Sequence, residues 1–182
     1  IFLDSMSDLM GAWVDKDHVI QVLDVCKRAP QHSFQLLTKN PGRLSKFEFP
    51  DNVWVGVSAP PSSMFGKPLS FDQQQRFVTN ALEALREIKV PVKWMSIEPL
   101  SFDIAPLLEN CGLQWAVIGA ATNGAKTYQP KHEWVENLLA TLDAQNIKVF
   151  FKGNLDWEQD VWREEFPSQT PSTTPLFEIV RP

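Results

Sequence analysis

Short, nearly continuous apolar runs alternate along the chain with longer segments whose apolar residues recur every three or four positions. The short runs are 1–5 (IFLDS), 33–39 (SFQLLTK), 53–58 (VWVGVS), 92–97 (VKWMSI), 113–120 (LQWAVIGA) and 147–152 (IKVFFK). They read as strands, and their lack of polar alternation suits parallel strands covered by helices. Between them, Val19, Val22, Leu23 and Cys26 form one helical stripe, Val78, Ala81, Leu82 and Leu85 a second, and Val135, Leu138, Leu139 and Leu142 a third. Asp72 is placed to cap the second helix, Pro41 to open a short helix through residue 46, and Asp103 to start another near 104–110. Strands alternating with helices demand right-handed parallel crossovers, so the pattern predicts an α/β protein.

The connections are asymmetric. Helix-to-strand links are brief (APQH, KVP, CG, QN), whereas strand-to-helix links are long (MSDLMGAWVDKD, APPSSMFGKPLS, ATNGAKTYQPK). Long loops in compact domains usually carry function, and α/β folds bind ligands at the carboxyl ends of their strands. The elaborated side is that side. Residues 1–166 read as one domain, and the Pro/Ser/Thr-rich stretch 167–182 reads as a flexible tail.

With 182 residues, 43% hydrophobic and 21% charged, the chain can bury a real core. No apolar run approaches the roughly 18–20 residues that cross a bilayer, so no membrane partner is expected. The first residues lack a secretory signal, and the chain opens inside an apolar strand without an initiator Met, as if a longer protein had lost its start. The edge left by such a loss would invite self-association into a homo-oligomer. A net charge of −5 argues against broad capture of nucleic acid, although Lys39, Arg43 and Lys46 form a local basic cluster. Two distant cysteines, Cys26 and Cys111, are too few for a disulfide framework and point to a reducing cytoplasm. They cannot by themselves hold a metal cluster.

Collected from the carboxyl ends, the polar residues are Asp4, Ser5, Ser7 and Asp8; Thr38, Lys39 and Asn40; Ser58; Ser96 and Glu98; Thr122 and Asn123; Lys152 and Asn154. Singly, each is an ordinary strand-end residue. Their convergence from six strands suggests a site. Glu98 stands out: Trp94, Met95 and Ile97 precede it, so desolvation could raise its pKa while Lys39 or Lys152 across a barrel could lower it. It could serve as a general base or accept a hydrogen bond from an amine or ribose; the rival reading is a structural Glu–Lys pair closing the rim. Trp13, alone among seven tryptophans, falls in a long strand-to-helix loop and could stack on a planar ligand.

Other motifs carry less. GAATNGAKT (119–127) nearly spells a phosphate-binding loop, but Ala125 separates Gly124 from Lys126 and YQP replaces the helix that would complete the cradle. His18, His32 and His132 lack ligand spacing.

Taken together, IFLDSMSDLMGAWV, FQLLTKNPGRL, NVWVGVS, MSIEPL and VFFKGNL resemble, in order, the blocks of the phage Gp37/Gp68-like family of unknown function, DUF5131, from Ile1 to about Pro167. Members of that family carry, ahead of this segment, a cysteine-rich stretch ending in a C-x-x-C-Y-like run that looks like the cluster loop of radical SAM enzymes. The resemblance implies a partial or complete TIM-type (βα) barrel of radical SAM kind, of at least six parallel strands. It implies S-adenosylmethionine and a [4Fe–4S] cluster for a full-length protein, with no cluster ligands in this chain. Glu98, Lys39, Lys152 and Ser96 match the family's strand-end positions. On this reading Glu98, Lys39 and Lys152 are the catalytic candidates, and Ser96, Thr38, Asn40, Ser58, Thr122 and Asn123 bind cofactor. Ser7, Asp8, Trp13 and Asn154 meet a small-molecule or nucleotide-containing substrate. Where many members have a Gly-Gly-Glu-Ser-Gly turn, this chain has GAATNG, so one carboxylate is missing. The alternatives are a non-catalytic nucleotide- or nucleic-acid-binding module and a cofactor-independent hydrolase with Glu98 as base.

Overall fold

The computed structural model describes residues 1–168. The residues 169–182 of the expected tail lie outside the described residues, while Pro167 is buried. In chain order the elements are α1 (Lys16–Arg28), β1 (Phe34–Thr38), β2 (Val53–Ser58), β3 (Ser63–Met64), β4 (Lys67–Pro68), α2 (Phe71–Glu87), β5 (Lys93–Ile97), β6 (Trp115–Ile118), β7 (Ala121–Asn123), β8 (Lys126–Tyr128), α3 (His132–Asp143) and β9 (Lys148–Phe151).

Five strands form one parallel sheet in the order β1-β2-β5-β6-β9, and each crossover joins neighbours without a reversal. The β3–β4 and β7–β8 pairs are antiparallel hairpins standing outside that sheet. The predicted first strand is reduced to a parallel bridge. Phe2 opposes Gln35, with Leu3 N–H donating to Gln35 O at 2.8 Å and Gln35 N–H to Ile1 O at 2.7 Å. The chain turns at once into the loop that follows, where Asp4 has φ 53°. Residues 1–3 therefore occupy the β1 edge, as a short bridge where a full strand was expected.

The other edge is also covered. Residues 163–165 run antiparallel to β9, with Phe151 N–H donating to Arg163 O at 2.8 Å and Glu165 N–H to Val149 O at 2.9 Å. The Glu165 carboxylate accepts the Val149 N–H at 2.9 Å. Burial pushes that carboxyl up, but the Val149 N–H, Arg163 and Lys148 outweigh it and leave its pKa below the ordinary range. Trp115 Nε1–H donates to the Glu165 carbonyl at 2.8 Å, tying this strap to the core. Among the described residues, no pairing joins the strap to residues 1–3, so the ladder has two ends.

Alternation sorts the sheet's side chains. Val53, Val55, Val57, Met95, Ile97, Ala116, Ile118, Val149 and Phe151 share one core with the three helical stripes. Trp54, Trp94, Trp115 and Val117 point the other way and make a separate, largely indole core. That helix-free face is concave. Phe2 and Trp94 stand three strand spacings apart, roughly 14 Å in a flat sheet, yet their rings meet at 6.3 Å. Ile1 and Phe166, from opposite ends of the ladder, likewise line one cavity of about 310 Å³ with Trp54.

Two local readings differ. Ser70, not Asp72, caps α2: its Oγ accepts the Gln73 N–H at 3.3 Å and Gln73 Oε1 accepts the Ser70 N–H at 2.9 Å. Asp72 instead lies in the first turn, where its charge suits the helix dipole. The predicted short helices are 3-10 turns, Pro41–Lys46 and Ala105–Leu107, each too short to develop an α-helical ladder. No helix among the described residues is long and apolar enough to cross a membrane.

Candidate functional site

Inward-facing positions end, at the carboxyl side of β5, in Ser96 and then Glu98. Ser96 is buried and donates its hydroxyl to Glu98 Oε1 at 3.1 Å. Glu98 Oε2 lies 3.0 Å from the Lys152 ammonium, just beyond β9. Between β5 and β9 lies β6, and the residue there is Gly119. A Cβ at Gly119 would sit 3.1 Å from Glu98 Cγ, 3.1 Å from Asn154 Oδ1 and 3.3 Å from Lys152 Cβ. The missing side chain is what lets acid and base meet across an intervening strand.

Backbone bonds hold this corner. Gly119 N–H donates to Ile97 O and Leu100 N–H to Gly119 O, so the chain stays on β6 past the cis Glu98–Pro99 bond. Asn154 clamps Ala120, accepting its N–H at 3.3 Å and donating to its carbonyl at 2.9 Å. Ser58 opposes Ser96 in the β2–β5 register. The pair remains reachable by solvent: 26% of the Glu98 and 48% of the Lys152 side chain is exposed. The corner thus offers a carboxylate, an ammonium and a buried hydroxyl.

Other expected site residues serve a different task. Asp8 accepts from Thr38 Oγ1 at 3.1 Å, Lys39 N–H at 2.8 Å and Met10 N–H at 3.0 Å. Asn40 N–H donates to Thr38 Oγ1, and Asn40 Nδ2 to Met10 O, both at 2.8 Å. Arg43 donates to Gly11 O and, at 2.5 Å, to Val14 O. Asp8, Thr38, Asn40 and Arg43 therefore fasten the first long loop to β1, and the basic cluster retains Lys39 and Lys46 as its exposed members. Asp8→Ala should cost about 1.5–3 kcal/mol of stability, the worth of charge-assisted hydrogen bonds, read as a lower urea midpoint with an unchanged m-value.

Lys39 is exposed and outside the Glu98–Lys152 pair. Ser7 is exposed, its N–H donating to Asp4 O. Trp13 lies with its ring against Gly11, where a Cβ would come within 2.5 Å of Cζ2, and is 75% exposed. Thr122 and Asn123 face Thr127 and Lys126 in the β7–β8 hairpin, which occupies the near-match to a phosphate loop. Sequence reading missed Gly119, which sits inside the apolar run 113–120 and gives no signal of what crosses it. It also missed the β3–β4 hairpin, whose signal is the glycine of FGK inside the long loop APPSSMFGKPLS.

Cys26 and Cys111 are free and buried in the helix-side core, where burial pushes both thiols up. Among the described residues, no three His, Cys, Asp or Glu side chains gather in a metal-binding group.

The sequence model of one family, described as Protein of unknown function (DUF5131), matches residues 1–172. No curated protein and no solved structure matches the chain.

Proposed function

The chain belongs to the DUF5131 family, and from that premise we propose that it is the ligand-holding body of a radical SAM-like protein of the phage Gp37/Gp68-like kind, binding S-adenosylmethionine at the carboxyl end of its sheet. The observation that carries this is the Glu98–Lys152 pair, bridged over Gly119 and steadied by Ser96. A partly exposed carboxylate beside a half-exposed ammonium matches a zwitterion: Lys152 faces the α-carboxylate and Glu98 the α-ammonium of the methionyl end. The Ser96 hydroxyl keeps one carboxylate oxygen oriented, and each ionic contact gains strength from partial desolvation. The sequential strand order and the curl of the sheet suit a partial barrel wall, with its ligand at the strand ends. Two buried thiols suit a reducing, cytoplasmic setting.

The [4Fe–4S] cluster of such enzymes needs three thiolates and does not fit the described residues. The chain's two cysteines belong to the helix-side core, away from the inward strand positions. The proposal therefore concerns binding, and this chain alone is silent in radical chemistry.

Isothermal titration of the chain with S-adenosylmethionine tests it. Micromolar binding is expected, weakened about 10- to 100-fold by Glu98→Gln and by Lys152→Met, the equivalent of losing a hydrogen bond to a charged group at roughly 1.5–3 kcal/mol. No binding at millimolar ligand, or binding by both variants as tight as the parent's, overturns the reading.

A further inference from the structure

Two hairpins rise on either side of Glu98. The β3–β4 hairpin follows β2 and the β7–β8 hairpin follows β6, the two strands that flank β5. Ser62 N–H donates to Ser101 Oγ at 2.7 Å, pinning the root of the first beside the segment after Glu98. Each hairpin presents an aromatic ring and a lysine to solvent. Phe65 is 96% exposed and holds φ 51°, a left-handed conformation that a bulky residue rarely adopts. Neither burial nor backbone preference accounts for a phenylalanine at that turn. Tyr128 is 49% exposed, and the Lys126 ammonium lies over its ring at 5.1 Å. Trp13 adds a third exposed ring from the first long loop.

Charge is segregated on the same side. The loops after β1, β2 and β6 (residues 39–47, 59–70 and 119–131) hold six of the chain's 17 lysines and arginines and none of its 22 aspartates and glutamates. Everything else in the chain is therefore strongly acidic. Arg43 is committed to the first loop and Lys131 to Glu133, but Lys39, Lys46, Lys67 and Lys126 enter no ion pair among the described residues. Acidic side chains do occur at this end, in the loops after residues 1–3, β5 and β9; of these, Asp8 is bonded to backbone and Thr38, and Glu98 to Lys152.

We propose that this face binds single-stranded nucleic acid, with Phe65, Tyr128 and Trp13 stacking on unpaired bases and Lys39, Lys67 and Lys126 meeting phosphates. Exposed rings set among lysines are the means by which proteins hold single strands, whereas a duplex keeps its bases stacked out of reach. A bilayer would need a contiguous apolar face, and the segments that carry Phe65 and Tyr128 also carry Ser62, Ser63, Thr122, Asn123 and Thr127. The site deepens the proposed function by naming a substrate class, but it stands on different residues. Oligonucleotide binding by a chain that fails to bind S-adenosylmethionine would sink only the earlier reading, and the reverse result only this one.

The test is fluorescence anisotropy of the whole chain with labelled single-stranded RNA, single-stranded DNA and duplex DNA of about 20 nucleotides at several salt concentrations. A single strand of either kind should bind at least about tenfold more tightly than duplex, with a log–log salt slope of about −2 to −3 for three or four phosphates. Phe65→Ala and Tyr128→Ala should each weaken it about 5- to 100-fold, as expected for one lost stacked base. Lys67→Ala should flatten the slope. Phe77→Ala, an exposed ring on the α2 surface, should change nothing. No binding at low salt, equal binding of duplex, unchanged affinity in both ring variants, or cosedimentation with phosphatidylserine vesicles in place of oligonucleotide binding would each overturn the proposal.

Discussion

Gly56→Ala lowers the unfolding free energy by about 3 kcal/mol, or blocks folding outright, although it adds a single methyl group. Gly56 is buried in the middle of β2, opposite Trp94 in the β2–β5 ladder, and the Trp94 indole lies flat across it. A Cβ there would fall 2.6 Å from Trp94 Nε1 and closer still to Cδ2 and Cε2. The ring has nowhere to retreat. Trp115 packs against it at 5.2 Å and Phe2 at 6.3 Å, and only 2% of the residue is exposed. Its Nε1–H meets no acceptor among the described residues, so no hydrogen bond guides it to an alternative pose. Interiors packed to crystal density move little, so the clash must be relieved by displacing β2 or expelling the indole. Urea unfolding followed by tryptophan fluorescence measures the loss. A variant within 0.5 kcal/mol of the parent, roughly the spread of a harmless surface change, would show that the concave core is loosely packed.

On the proposed function, Gly119→Val should separate the Glu98–Lys152 pair and weaken S-adenosylmethionine binding by more than about tenfold, at a stability cost of about 1–3 kcal/mol. The glycine fills the gap between two strand ends that are not neighbours, and the space above it is shared by Glu98 Cγ, Lys152 Cβ and Asn154 Oδ1 at 3.1–3.3 Å. Alanine asks these neighbours for a few tenths of an ångström. Valine adds two more carbons to the place where carboxylate and ammonium meet. The graded pair separates packing from binding: Gly119→Ala should keep most of the affinity and Gly119→Val should not. Equal affinities would mean that the ion pair does not bind the ligand, whatever the stability data show. Glu98→Gln supplies the independent arm, because it removes the charge without adding volume.

Both predictions concern glycines, and neither could be drawn from sequence, because a glycine within an apolar run is silent about what crosses it. The same limit applied to the polar strand ends. Asp8, Thr38, Asn40, Glu98 and Lys152 were legible as one ring because strand carboxyl ends can be counted from hydrophobic runs. Which of them face a ligand could not be counted that way. Asp8 meets Thr38 across 30 residues of chain, and Arg43 meets Gly11 across 32, so their hydrogen-bonding capacity goes into holding a loop. Phe65 and Tyr128 escaped notice because hairpins built from strands of two or three residues are too short to show a strand period.

What the sequence determined by itself was local and periodic: the five long strands to within two residues, the three helical stripes, and the elaborated end. Period-two and 3.6-residue patterns are imposed on each segment by burial of one face, so they can be read one segment at a time. Only the tertiary structure decided the curl that brings Phe2 to Trp94, the covering of both sheet edges, and the meeting of Glu98 with Lys152 over Gly119. Those depend on strand order and on distances between residues far apart in the chain. A hydrogen bond or an ion pair is settled within about 3–4 Å, a scale that no sequence spacing specifies.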